Sequence, residues 1–358
     1  MTRILEDTKL DYKDVLIVPK RSSLSSRNDV SLTRTFNTVN SGLTYSGIPL
    51  TISNMDGTGT FEMANVASKK YGLLTALIKH YPIEELISFF NSNEDWACDS
   101  VCYSMGITAS DLEKYNKFKL KSYAKLVMID TANFYIESAL EFLKRFRDEN
   151  KNIILIVGNI ATAEMAEALI LAGADVVKAG TGPGAACSTR LKAGVGYPQL
   201  SSVLECADAV HGLKGHLMSD GGIVYPADFA KSFGAGADLA MAGSFFAGCL
   251  EGGGEVFLEN GQQYIKFYGM SSKVAQEKHG EGLKEYRASE GRILKIPFKG
   301  SVETIILDLL GSLRSTCSYI GASSIKEMPK RTTFCRVNQQ ISTMYGIGEI
   351  WNNQKEWN

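Results

Sequence analysis

AGADVVKAG at residues 172–180 returns as AGADLAMAG at 235–243. Each copy reads as a helix end, a turn, a short apolar strand and a glycine that opens a loop. Two copies of one such unit in one chain point to equivalent positions in a repeating αβ layout. The beat runs through most of the chain. Short apolar strands are expected at 49–53, 73–77, 101–104, 126–129, 153–157, 175–178, 216–218 and 239–241. Helical spacing follows several of them, as in Ile136, Ala139, Leu140, Leu143 and Phe146 on one face. Eight strands alternating with helices predict a parallel α/β fold, with a doubly wound sheet as the alternative to a closed (β/α)8 TIM barrel. Polar residues gather at the strand carboxyl ends, such as Asn54-Met55-Asp56-Gly57, Asp130-Thr131-Ala132-Asn133 and Ser219-Asp220-Gly221-Gly222. A barrel keeps its chemistry at that rim, which favours the barrel.

One domain is expected across residues 1–358. Residues 1–48 read as an irregular arm covering the outside. Residues 245–299 are glycine-rich and charged and interrupt the beat after the eighth strand, which reads as a lid. Within it, GQQYIKFYG after Glu259-Asn260-Gly261 predicts one arm of a hairpin. A helix over 302–314 closes the ring. The tail at 323–358, with Lys330, Arg331, Trp351 and Trp357, wraps the outside.

Charge excludes two function classes. The net charge is −1, so no basic surface for nucleic acid and no cationic membrane face is expected. No apolar run reaches spanning length. The start, MTRILEDTKLDYKD, lacks the apolar core of a signal peptide. Seven scattered cysteines without a CxxC zinc spacing predict reduced thiols in a cytoplasmic protein.

The chemistry concentrates between residues 172 and 199. A strand runs into Gly180-Thr181-Gly182-Pro183-Gly184-Ala185-Ala186-Cys187-Ser188-Thr189-Arg190. The glycines let backbone turn sharply beside a ligand, and a cysteine after a strand is placed as a nucleophile. By glycines and cysteine alone, a surface turn with an ordinary thiol is an equal reading.

The order of motifs weighs the two. GTGPGAACSTR followed by GVGYPQLS resembles the active-site loop shared by IMP dehydrogenases and GMP reductases. LDYKDVLIVPKRSSLSSR, NMDGTGTFEMA, IKHY, SDGG, FYGMSS, YRASEG and KRTTF also fall in the order seen in that family. FYGMSS is similar to the reductase branch. No room for the regulatory domain usual in the dehydrogenases appears between residues 80 and 130.

The resemblance implies NADPH-dependent reductive deamination of GMP to IMP and ammonia. It makes Cys187 the nucleophile at purine C2, with a covalent thioimidate, and Thr189 with Glu290 the pair that moves the amine proton. Asp220, Gly221, Gly222, Gly243 and Ser244 would hold ribose and phosphate. Gly269, Met270, Ser271, Arg287, Ala288, Ser289 and Gly291 would complete the substrate site. Lys79, Asp130, Thr131, Ala132, Thr181, Gly182 and Tyr286 fall on the cofactor side. Ser26, Arg27, Ser315, Thr316, Cys317 and Ser318 resemble contacts to a neighbouring subunit's cofactor, which implies a homotetramer. Gly182, Gly184, Cys187 and Arg190 match a potassium site.

The chain departs from the family pattern at Ala185, where a serine is usual, and at Thr181, Ser188 and Ser244. GIVYP also replaces the usual residues after Ser219-Asp220-Gly221. The competing readings are an IMP dehydrogenase-like oxidase and a non-catalytic purine-nucleotide binder.

Overall fold

In the computed structural model, which describes residues 4–279 and 289–338, the eight strands close into a parallel barrel in sequence order. They are β1 (Leu50–Ile52), β2 (Leu74–Ala76), β3 (Val101–Met105), β4 (Leu126–Asp130), β5 (Ile154–Ile160), β6 (Val176–Ala179), β7 (His216–Asp220) and β8 (Leu239–Ala242). The doubly wound alternative is excluded because β8 pairs with β1, Ala242 opposite Ile52. The strands are buried on both faces, which is why they read as continuous apolar runs.

Two cores follow from closure. Leu74, Cys102, Leu126, Met128, Ile154, Ile156, Val176, Met218, Leu239 and Met241 fill the barrel. A larger core lies between strands and helices, with Phe134, Leu143, Phe146, Val203, Phe229, Leu309 and Leu313 among its members. The closing helix spans Val302–Ile320, six residues beyond the expected end at 314, and stops where Gly321 takes φ 70°.

The arm is more ordered than its composition suggested. Residues Arg34–Asn37 and Thr44–Gly47 form an antiparallel hairpin. Its Phe36 and Tyr45 join the inner core and plug the amino-terminal end of the barrel. Val15–Ile17 pairs with Phe334–Arg336, so arm and tail make a small sheet together. Lys330 and Arg331 sit in a short helix before that strand, while Trp351 and Trp357 lie outside the described residues.

The repeated AGAD explains how the plug is held. Asp175 and Asp238 each precede a strand, and each carboxylate accepts the amide of the neighbouring strand, Leu155 and Leu217 respectively, at 3.0 Å. Asp175 also accepts the amides of Asn40 and Ser41 at the hairpin turn and the Arg147 guanidinium at 2.7 Å. Asp238 takes Arg34 of the hairpin and His211. Burial alone would raise the Asp238 carboxyl, but His211 and His216 hold it far below the usual range.

Beyond β8, Val256–Glu259 (β9), Gln262–Tyr268 (β10) and Ile293–Pro297 (β11) build an antiparallel sheet. The β9–β10 turn is Asn260-Gly261, with φ 51° and 78°, the two left-handed residues that a tight hairpin requires. Among the described residues, no helix is long and apolar enough to cross a membrane.

Candidate active site

Cys187 sits on the loop after β6, half buried. The loop is anchored because Gly180 lies against Asp220, where a Cβ would come within 2.1 Å of the Asp220 carbonyl oxygen. Gly182 then turns with φ 77°, and a side chain there would meet Arg190 at 2.8 Å. The Arg190 guanidinium reaches Asp11 at 3.1 Å and the Tyr197 carbonyl, pinning the far side of the loop.

Residues 289–292 return from the β9–β11 excursion and pair with this loop. Cys187 and Gly291 form an antiparallel bridge. The Ser188 amide donates to the Glu290 carbonyl at 2.8 Å, and the Arg292 amide to the Ala186 carbonyl at 3.0 Å. Arg292 Nε adds a bond to the Ala185 carbonyl at 2.8 Å. The pairing places the Glu290 side chain over Thr189. The Cys187 thiol donates to Thr189 Oγ1 at 3.2 Å, and that hydroxyl donates to Glu290 Oε2 at 2.5 Å. A nucleophile, a hydroxyl and a carboxylate therefore stand in one line, with an unbroken path for a proton.

Four of the other cysteines differ in kind. Burial pushes the thiols of Cys102, Cys206, Cys249 and Cys317 up to about 12, which holds them neutral. Cys187, partly exposed at the carboxyl rim beside a proton acceptor, is the one placed for attack.

A second cluster lines the mouth at the ends of β4, β5, β6 and β7. Lys178, 2 % exposed, puts Nζ 2.6 Å from Asp130 Oδ1 and 2.6 Å from Asp220 Oδ2. Asn54 donates to Asp130 at 3.0 Å, and Asn159 to Asp220 at 2.8 Å and to the Gly180 carbonyl at 2.7 Å. Burial would lower the Lys178 ammonium and raise Asp130, but their pairing wins on both sides: Lys178 is raised and Asp130 lowered. Gln199 braces the floor through the Ala179 carbonyl at 2.9 Å. Lys178, Asn159 and Gln199 were not singled out from the sequence. The available signal was a lysine inside an otherwise apolar strand, Val176-Val177-Lys178, since a buried lysine needs an anionic partner.

Gly221, Gly222, Gly243 and Ser244 stand at the ends of the adjacent strands β7 and β8. The Gly221 amide is committed to the Met241 carbonyl at 3.1 Å. Gly269 packs against the cysteine loop, where a Cβ would meet the Ala186 carbonyl oxygen at 2.8 Å, and Gly291 packs equally closely on Ser272. Met270, Ser271 and Ser289 belong to the same excursion; Tyr286, Arg287 and Ala288 lie outside the described residues. Lys79, Thr131 and Ala132, expected from the sequence to face a cofactor, follow β2 and β4 at the same rim. Buried Thr131 Oγ1, Thr181 Oγ1 and Asn159 Oδ1 have no partner among the described residues.

Ser26, Arg27 and residues 315–318 are placed elsewhere. Ser26 caps the short turn Arg27–Asp29, and Ser315, Thr316, Cys317 and Ser318 lie in the closing helix on the outer ring. Arg27 and Ser315 line one surface depression with Arg314. Cys317 faces the core and is fully buried.

Comparison with known proteins decides the family. The IMP dehydrogenase / GMP reductase domain matches residues 9–343. The chain belongs to this family. It is 51 % identical to GMP reductase 1 of Homo sapiens over 346 residues, covering 96 % of this chain and 100 % of that protein. It is equally similar, at 51 % over 347 residues, to GMP reductase 1 of Mus musculus, covering 97 % of this chain and all of the relative. GMP reductase of Escherichia coli O81 is 49 % identical over 344 residues, 96 % of this chain and 99 % of its own length.

Proposed function

We propose that this protein is a GMP reductase, converting GMP to IMP and ammonia at the expense of NADPH. The observation that carries the reading is the Cys187–Thr189–Glu290 line, at 3.2 and 2.5 Å, in a chain about half identical to GMP reductases along nearly its whole length. Dehydrogenase chemistry is not favoured, since the relatives reported above are named as reductases.

The residues suit each step. Glu290, through the Thr189 hydroxyl, withdraws the thiol proton as sulfur bonds to C2 of the guanine ring. The same pair returns a proton to the departing amine, so ammonia leaves and a thioimidate to Cys187 remains. NADPH, when bound, supplies the hydride that reduces C2. Cys187 then departs as thiolate, a good leaving group as well as a good nucleophile, and IMP is released. The polar groups of the mouth fit the reductant: the hydroxyls of Thr131 and Thr181, and the acceptor Asn159 Oδ1, have no partner among the described residues. Lys79 stands near, its ammonium bearing on the Asp130 carboxyl. Asp220 Oδ2 is occupied by Lys178 and Asn159, which leaves Oδ1 to accept a ribose hydroxyl.

Backbone carbonyls of Gly182, Gly184 and Cys187, with Arg190 nearby, are neutral ligands, and the described residues hold no cluster of three acidic, histidine or cysteine ligands. A neutral oxygen set fits a monovalent ion such as potassium, which would brace the cysteine loop, better than a divalent metal. Residues 245–299 act as the lid that brings Glu290 to the site. Arg27, Ser315, Thr316 and Ser318 serve the reductant of a neighbouring subunit in a homotetramer, whereas Cys317, buried against the core, takes no part. The protein acts on a small purine nucleotide in the cytoplasm.

The test is absorbance at the nicotinamide band with purified protein. NADPH should be consumed with GMP, with one ammonia released per turnover. Reduction of NAD with IMP, and indifference to GMP, would reverse the reading.

A further inference from the structure

Lys178 is the feature of the mouth that the reaction scheme leaves unused. It is a lysine on a barrel strand whose neighbours are Val176, Val177 and Ala179, all buried. Its ammonium, 2 % exposed, meets two carboxylates at 2.6 Å each. Those carboxylates belong to different strands and, on the reading above, to different ligands: Asp130 to the reductant and Asp220 to the nucleotide. Both are more exposed than the lysine, at 32 % and 18 %, so they face the mouth while Lys178 lies behind them. Asn54 and Asn159 fix their remaining geometry from the flanks.

We propose that Lys178 is a positioning residue that couples the two halves of the active site, holding Asp130 and Asp220 ionised and side by side so that nucleotide and reductant bind in register. This inference rests on the assignment of those carboxylates to the two ligands. Without the ammonium, two carboxylates share one partly buried site. Like charges so close cannot both stay ionised at no cost, and one takes up a proton at a pH well above its ordinary value. Lys79 also bears on Asp130. The neutral donors Asn54 and Asn159 cannot replace a charge. Lys178 thus touches neither ligand, yet sets the charge state of one contact to each.

The experiment measures binding directly, by calorimetry of GMP with the full-length protein, so that no turnover is required. Wild type, Lys178→Arg, Lys178→Met, Asp130→Asn and the double variant Lys178→Met/Asp130→Asn are compared between pH 5 and 8. Lys178→Met should weaken GMP about tenfold or more at pH 8, the usual scale for an unpaired charge at a site. The ratio of its dissociation constant to that of wild type should shrink as pH falls, because a proton substitutes for the lost cation. Lys178→Arg should stay within a few-fold. The decisive arm is the double variant. Removing the Asp130 charge should restore GMP affinity several-fold over Lys178→Met, although Asp130 is on the other ligand's side. A lysine that only fills space gives no such rescue and no pH-dependent ratio, and that result overturns the proposal. Should Lys178→Met fail to fold, the double variant, which leaves one carboxylate rather than two without the ammonium, is compared with Asp130→Asn alone. Near-equal affinity supports charge balance, and a tenfold loss overturns it. Whether wild type binds GMP at all separately tests the assigned function.

Discussion

Thr189 Oγ1 and Glu290 Oε2 stand 2.5 Å apart across 101 residues of chain. The pairing of residues 289–292 with the cysteine loop creates that contact, and the proposed chemistry depends on it. Glu290→Gln keeps the size and a hydrogen bond but removes the base. General acid–base groups contribute about 10²- to 10⁴-fold. Turnover should fall by that order with little change in KM for GMP. Steady-state rates at saturating NADPH measure it, and a loss of only a few-fold would place the proton path elsewhere.

Ala185 is exposed, and its carbonyl is held by Arg292. A hydroxyl there would offer a phosphate one further charge-assisted bond, worth about 1.5 to 3 kcal/mol. The phosphate is unchanged through the reaction, so the bond stabilises ground and transition states equally. Ala185→Ser should lower KM several-fold and spare kcat. Saturation curves for both proteins decide it. An unchanged KM would mean that the Gly222 amide or Ser244 already satisfies the phosphate.

Arg27 and Ser315 share a depression on the outer ring with Arg314. If they serve a neighbour's reductant, the active species is an assembly. Light scattering should give a tetramer, and Arg27→Ala should raise KM for NADPH several-fold while leaving KM for GMP unchanged. An active monomer at micromolar concentration refutes the assignment.

Acid should loosen the excursion that carries Glu290. Asp56, after β1, receives Tyr268 at 2.8 Å, His279 at 2.9 Å and Lys278 at 3.2 Å from that excursion. His279 stacks on His80 with ring centres 3.6 Å apart. Burial, then the neighbouring His279 and Lys79, lower His80 to about 4. A histidine lowered in the folded state is neutral there without penalty above about 6.5, its unfolded value. Its contribution is lost as pH falls from about 6.5 toward 4. Asp56 is also lowered, its three donors outweighing burial, so its share persists until more acid conditions. Hydrogen exchange of residues 262–279 should therefore quicken below pH 6.5. His80→Phe keeps a ring for the stack and removes the titration, so it should flatten that dependence; an unaltered profile would clear His80 of the role.

The barrel was legible because its cause is local. Each strand is buried on both faces, so each reads as an apolar run; closure itself was decided only by the pairing of β8 with β1. The cysteine loop was legible too, since glycine, proline and cysteine spacing records how backbone must turn there. The arm was not. Its Phe36 and Tyr45 are core residues of the inner barrel, but nothing within residues 1–48 reveals an open barrel end elsewhere for them to fill.

AGAD shows where the boundary falls. Its repetition announced two equivalent αβ units, and that much is periodicity. That Asp175 and Asp238 would each grip the neighbouring strand and the same plugging hairpin depends on contacts made 134 and 204 residues away. Lys178 divides the same way. The chain by itself determined that a lysine would lie within a buried strand, which demands an anion. Which anions answer it, and that they come from both sides of the site, was decided only when barrel closure set Asp130 and Asp220 on either side of its ammonium. Ion pairing acts over a few ångströms of space, and separation along the chain carries no record of that distance.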